Sequence, residues 1–291
     1  MQSIIQKCII MIKINRILAH YTWDIAYGAY SDSIVTQGLE GVKLHIVKNP
    51  YRNKWFADPF ILEEDEERIQ FLVEEFDYYV GRGRIARLIV DKKNDKIIDC
   101  SIILDLPTHL SFPVIYRVDG EVYVHPENSA SGASFIYRYD RTKEKLVEPQ
   151  LMVNEPIADA IILKEGEVYR MYATRVPDTN GCTLHEYISK DLFGPYEHIG
   201  EDSFDKNTAR MAGKFLLLSD GQIIRPAQDC YGGYGKAVVM YNGHTPICRL
   251  EPTSYKYAGI HTFNTLHGTF VIDYKKYDHP LIYNFSRLLK K

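Results

Sequence analysis

The sequence predicts an all-β chain folded as a five-bladed β-propeller, and three observations carry that prediction. Its periodic segments are short, rich in Val, Ile, Tyr and Phe, and separated by Asp-Gly, Glu-Gly or Gly-Gly turns, which is strand and hairpin chemistry. No segment longer than about ten residues carries a helical apolar stripe. One unit, a strand, a tight turn and a second strand ending in polar residues, recurs five times.

The copies begin Asp58-Pro59-Phe60-Ile61-Leu62, Phe112-Pro113-Val114-Ile115-Tyr116, Asp159-Ala160-Ile161-Ile162-Leu163, Ala212-Gly213-Lys214-Phe215-Leu216 and His261-Thr262-Phe263-Asn264-Thr265, with starts 54, 47, 53 and 49 residues apart. A spacing of about 50 residues leaves room for the four short strands of a propeller blade. The second copy shows the hairpin best, Val114 to Val118, then Asp119-Gly120, then Glu121 to Val124. Third and fourth strands fit behind the hairpins, as in Ile85 to Asp91, Ser134 to Asp140 and Lys236 to Tyr241. The segment Ile14 to Ile25 precedes the first copy and offers a strand to close the ring. No Pro/Gly/Ser-rich linker or charge run divides residues 1–291, so a single domain is expected, with two packed β-domains as the rival arrangement.

The chain has 291 residues, with 35 Lys+Arg against 38 Asp+Glu for a net charge of -3. It lacks the basic excess that binding a phosphate backbone requires, which excludes nucleic acid as a main partner. Its longest apolar stretch, Cys8 to Ile12, falls far short of the roughly 20 residues of a membrane span. The same stretch is too short for a secretory signal, and no small-x-small cleavage site follows it. Five scattered cysteines without a C-x-x-C pair argue against a disulfide framework or structural zinc. A cytoplasmic protein with reduced thiols is expected.

In a propeller, residues at one phase of the repeat converge on a central channel. At the opening phase stand Asp58, Phe112, Asp159, Ala212 and His261. The second strands end in Glu74-Glu75, His125-Pro126-Glu127-Asn128, Thr174-Arg175, Arg225-Pro226-Ala227-Gln228-Asp229 and Tyr274-Lys275. Ionisable groups are costly to bury in a packed core, so these positions outline a polar pocket. Its candidate proton-transfer groups are Asp58, Asp159, Glu127 and Asp229. Its candidate ligand-binding groups are Glu75, Arg175, Arg210, Arg225, Gln228 and His261, with Trp55 and Tyr78 as stacking surfaces for a sugar ring. Glu74 and Glu75 point to opposite faces of one strand, and Glu75 is assigned to the channel. Competing structural roles exist for each: Asp58 bracing the turn before Pro59, Asp229 pairing with Arg225, His261 satisfied in a core. The run Arg82-Gly83-Arg84 offers guanidinium forks to an anion or is solvated hairpin charge. Nucleotide-binding glycine loops, H-E-x-x-H and G-x-S-x-G are absent.

Trp55-Phe56-Ala57-Asp58-Pro59-Phe60, Val73-Glu74-Glu75-Phe76-Asp77-Tyr78, His109-Leu110-Ser111-Phe112-Pro113, Pro126-Glu127-Asn128-Ser129, Leu192-Phe193-Gly194-Pro195-Tyr196 and Arg225-Pro226-Ala227-Gln228-Asp229 together resemble the N-terminal propeller domain of glucosamine inositolphosphorylceramide transferases. Similar domains occur in bacterial surface-polysaccharide proteins, and the chain is more distantly similar to the five-bladed propellers of family 43 glycoside hydrolases. The distant resemblance implies Asp58 as general base and Asp159 as the carboxylate that tunes the acid. Its general acid, a glutamate opening the fourth blade, has no counterpart in Arg210-Met211-Ala212-Gly213-Lys214. Some members of that family hold a cation through a fifth-blade histidine, a place that His261 fits, so the expectation is no required cofactor and at most a single cation in the central channel.

Glycoside cleavage ordinarily uses two carboxyl groups flanking the bond. Glu127 or Asp229 would then have to supply the proton, unless an activated donor is used and one base suffices. The expectation is a glycosidase-like enzyme, hydrolytic or glycosyl-transferring, in surface-glycan metabolism. The alternative is a non-catalytic glycan-binding or scaffolding propeller beside a separate glycosyltransferase. Carboxylates tied to arginines would favour the alternative.

Overall fold

A computed structural model describes residues 20–277. Twenty strands form five four-stranded antiparallel sheets arranged as blades around a central channel. Blade 1 runs outward through β3 (Lys54–Glu64), β4 (Arg68–Asp77), β5 (Arg82–Asp91) and β6 (Lys96–Leu104). Blade 2 follows as β7 (Ser111–Val118), β8 (Glu121–Glu127), β9 (Ser134–Asp140) and β10 (Lys145–Val153). Blade 3 comprises β11 (Ile157–Glu165), β12 (Val168–Arg175), β13 (Thr183–Ser189) and β14 (Glu197–Ser203), and blade 4 comprises β15 (Leu216–Leu217), β16 (Ile223–Asp229), β17 (Ala237–Asn242) and β18 (Thr245–Leu250). The α-helix among the described residues, α1 (Asp32–Gln37), is a six-residue surface turn.

Blade 5 is made from both ends of this segment. Its inner hairpin, β19 (Gly259–Leu266) and β20 (Thr269–Tyr277), is completed by β1 (Tyr21–Ala29) and β2 (His45–Ile46). The ring-closing strand therefore begins at Tyr21, later than the expected 14–25, and residues 14–19 lie outside the described part. The β1–β20 ladder is unbroken from Tyr21↔Tyr277 to Ala29↔Thr269. Pairing β1 with β20 covers what would otherwise be an open edge of the β19–β20 hairpin and locks the two ends of the ring together.

Four of the five repeat starts fall inside inner strands. Ala212 does not: it precedes the short β15 and joins blade 4 through a hydrogen bond from its amide N–H to Pro226 O at 2.9 Å. The next residue must be glycine, since a Cβ on Gly213 would lie 2.0 Å from Phe263 O in blade 5. Elsewhere the blade openings share a β-bulge: the ladders skip two residues after Ala57, Ser111, Ala158 and Ile260. Asp58, Phe112 and Asp159 sit in these bulges with φ of 52°, 45° and 50°. This left-handed region is uncommon outside glycine, and it turns the bulged amides toward the neighbouring blade.

Apolar faces pack between blades in three clusters, the largest uniting blades 1 to 4 around Phe60, Phe112, Met171 and Tyr187. The inner strands are also stitched across the ring. Arg117 of blade 2 donates to Leu62 O of blade 1 at 2.6 Å, Lys214 of blade 4 to Ile115 O of blade 2 at 3.1 Å, and Asn264 of blade 5 to Pro59 O of blade 1 at 3.1 Å. Burial pushes the Lys214 ammonium down to about 8.

Candidate functional site

The channel polar groups grow out of the bulged openings. Asp273 on β20 accepts the Asp58 amide at 3.0 Å and the His261 and Thr262 amides at 3.1 Å each. Asp58 in turn accepts the Phe112 amide at 3.1 Å. Each carboxylate thus receives the amide that the next blade's bulge presents. Between them lies His261, with Nε2 2.8 Å from Asp58 Oδ1 and Nδ1 2.9 Å from Asp273 Oδ2, the latter an ion contact rather than a well-aligned hydrogen bond. All three residues are buried. Burial works against a charged His261, but Asp273 and Asp58 outweigh it and push the imidazole up to about 10. Asp273 is held below the usual range despite its burial, by His261 and by its amide donors. Burial pushes Asp58 up, and the charges of Asp273 and Asp159 add to the rise against the pull of His261.

A second group spans blades 3 and 4. Arg210 donates from Nε and Nη2 to Asp159 at 2.6 and 3.2 Å, and Gln228 donates to the same carboxylate at 2.6 Å. Asn180 Oδ1 accepts from Arg210 Nη1 at 2.8 Å. The Tyr234 ring lies 5.4 Å from the Arg210 guanidinium and 5.2 Å from the His261 ring, and the Trp23 ring packs tilted against His261 with centroids 4.0 Å apart. Glu127 accepts from the Ser129 amide at 2.9 Å and the Ser111 hydroxyl at 3.2 Å. Its charge acts on both Arg210 and His109.

Glu74, not Glu75, is the blade 1 carboxyl that meets these groups. Glu75 turns to the other face of β4, where Lys54 at 2.5 Å and Arg84 at 2.9 Å neutralise it. Glu74 lies 3.3 Å from His109 Nε2 and interacts with Asp58 and His261. Burial pushes Glu74 up to about 7, against the pull of His109 and with added repulsion from Asp58. The contact with His109 is made by the buried Oε1, which has no well-aligned hydrogen bond of its own.

Other sequence assignments move out of the channel. Asp229 alternates with Gln228 and so faces outward to Arg249 at 2.5 Å. Arg225 is buried at the seam of blades 3 and 4, its guanidinium 3.8 Å from the Phe204 ring centre and donating to Thr208 O and Ala209 O. Arg175 pairs with Glu155. Arg82 and Arg84 are engaged by Asp105 and Glu75. Trp55 lies flat on Phe76 at 4.9 Å, and it lines a rim cavity together with Tyr78. The sequence reading gave no role to Asp273, Trp23 or His109. Asp273 had a signal: it lies opposite the blade 5 bulge, where the other hairpins have Val73, Pro126 and Ala173.

Asp58, His261 and Asp273 bring one potential metal-ligand atom each within 4.8 Å of one another. They do not fit a metal as arranged, because both ring nitrogens already face carboxylates and a ligating imidazole must offer a bare nitrogen. No helix among the described residues is long and apolar enough to cross a membrane.

Solved structures show the same architecture. An α-L-arabinofuranosidase from Podospora anserina, in complex with cellotriose, matches with a TM-score of 0.56 at 8% identity, over 75% of this chain and 80% of that one. An exo-β-1,3-galactanase from Clostridium thermocellum matches with a TM-score of 0.52 at 13% identity, over 84% and 61%. At such identities the likeness establishes the fold alone. In sequence, the chain is 25% identical over 213 residues to glucosamine inositolphosphorylceramide transferase 1 of Oryza sativa subsp. japonica, covering 71% of this chain but only 28% of that protein. Residues 44–262 match the model of one family across blades 1 to 4 and the opening of blade 5, and on that match the chain belongs to the family described as glucosamine inositolphosphorylceramide transferase 1, N-terminal.

Proposed function

We propose that this chain is a glycan-binding propeller that works beside a glycosyltransferase activity carried elsewhere. The observation that carries this reading is the engagement of the blade-opening carboxylates by partners within the chain. Asp58 is held by His261 and the Phe112 amide, and Asp159 by Arg210 and Gln228. Asp229, a candidate proton donor, is paired with Arg249. A base that must accept a proton from water or a hydroxyl gains nothing from such partners. A reducing, cytoplasmic compartment belongs to the proposal, supported by the free thiols of Cys100, Cys182, Cys230 and Cys248.

A second reading, a glycosidase-like enzyme that hydrolyses or transfers a glycosyl unit, is favoured by Glu74. A buried carboxyl pushed up to about 7, whose Oε1 contacts His109 Nε2 at 3.3 Å, has the properties of a general acid. Incubation with a panel of bacterial surface oligosaccharides, with and without activated sugar donors, separates the two readings. Retention of a glycan with unchanged masses is expected. A sugar lost or gained by the wild type and not by Glu74→Gln would replace the binding reading with the enzymatic one.

A further inference from the structure

The seam between blades 5 and 1 opens into a cavity of about 530 Å³. Trp23, Tyr51, Trp55 and Tyr78 line it, and Trp23 is also the ring that packs against His261 in the channel. The charges in this cavity are unevenly committed. Lys54 is neutralised by Glu75 and Asp77, and the carboxylate of Asp24 accepts the Tyr257 hydroxyl at 3.3 Å. Arg52 and Lys276 line the same cavity without an ion-pair partner among the described residues. Flat aromatic faces suit the apolar side of a pyranose ring, and an uncommitted guanidinium fork and an ammonium in one cavity suit a carboxylate or phosphate.

We propose that this cavity binds an anionic sugar, one carrying a carboxylate or phosphate group, with Arg52 and Lys276 as its charge-reading residues. The inference rests on the glycan-binding reading and adds to it the ligand's charge and its place outside the channel. The acid group pairs with Arg52 and Lys276 while the ring stacks on the aromatic wall, and no covalent step is involved.

Calorimetry on the full chain tests it with digalacturonate against digalactose, glucose 6-phosphate against glucose, and inorganic phosphate alone. The acidic sugars are expected to bind about tenfold or more tighter than their neutral counterparts at low salt, with the gap shrinking in about 0.5 M salt. The double variant R52Q/K276Q is expected to reduce that preference to within about twofold. W55A should weaken the acidic sugars and leave inorganic phosphate unchanged. Equal binding of acidic and neutral sugars, or a preference that survives R52Q/K276Q, overturns the charge assignment and leaves the glycan reading standing. Inorganic phosphate bound as tightly as glucose 6-phosphate overturns the sugar part. Failure of every sugar to bind, acidic or neutral, here and in the surface-oligosaccharide panel, defeats the glycan reading itself.

Discussion

His261 and Glu74 are buried in the same cluster and respond to pH in opposite ways. His261 is raised to about 10, so its charge stabilises the fold below the unfolded value near 6.5, and that contribution is lost as pH rises through 10. His261→Gln leaves Asp58 and Asp273 facing each other without a cation, and a loss of about 3–5 kcal/mol is expected in urea unfolding at pH 7. Glu74 is an acid with a raised value of about 7, so the folded state holds a proton that the unfolded chain has released. Stability is then greatest below the unfolded value near 4.5 and falls until pH passes 7, by about 3 kcal/mol in all. Urea midpoints at pH 5 and pH 8 should show that fall in the wild type and much less of it in Glu74→Gln. Asp58, Asp159 and His261 were legible in the sequence because one repeat phase holds them all. Glu74 was not, because strand alternation says that Glu74 and Glu75 diverge without saying which one turns inward.

At the scale of elements, the hairpins and their order could be read from turn residues and apolar periodicity, whereas the bulges could not. A bulge needs only a backbone twist, and Asp58, Phe112 and Asp159 share no side-chain type that would announce one. The short β15 was equally hidden, as was the approach of Phe263 O to Gly213 just before it. A similar close approach shapes blade 1. A Cβ on Gly83 would lie 2.3 Å from Leu110 O, 2.6 Å from Glu74 Oε1 and 2.8 Å from His109 Cε1. The central glycine of Arg82-Gly83-Arg84 therefore serves packing around Glu74 and His109. Gly83→Ala is expected to cost about 1–3 kcal/mol in denaturant unfolding and to change the chemical shifts of His109, where a surface hairpin would change neither.

Across the whole molecule, blades 1 to 4 are each continuous in sequence, while blade 5 draws β1 and β2 from one end and β19 and β20 from the other. A chain starting at Tyr30 lacks β1, which leaves β20 an exposed edge and separates β2 from its partner. It is expected to lose the single cooperative unfolding transition and to associate, measured by circular dichroism and light scattering. The five-fold count was legible because every blade repeats a hairpin. The membership of blade 5 was only half legible, since β2 is a two-residue strand with no pattern of its own.

The pairing of Tyr21 with Tyr277 also imposes an order on biosynthesis. At ribosomal rates of roughly 5–20 residues per second, β1 waits on the order of 10–50 s for the hairpin it will join. Blades 1 to 4 can fold as they emerge, while β1 remains a waiting strand, open to proteases, to chaperones and to the β20 of another nascent chain on the same message.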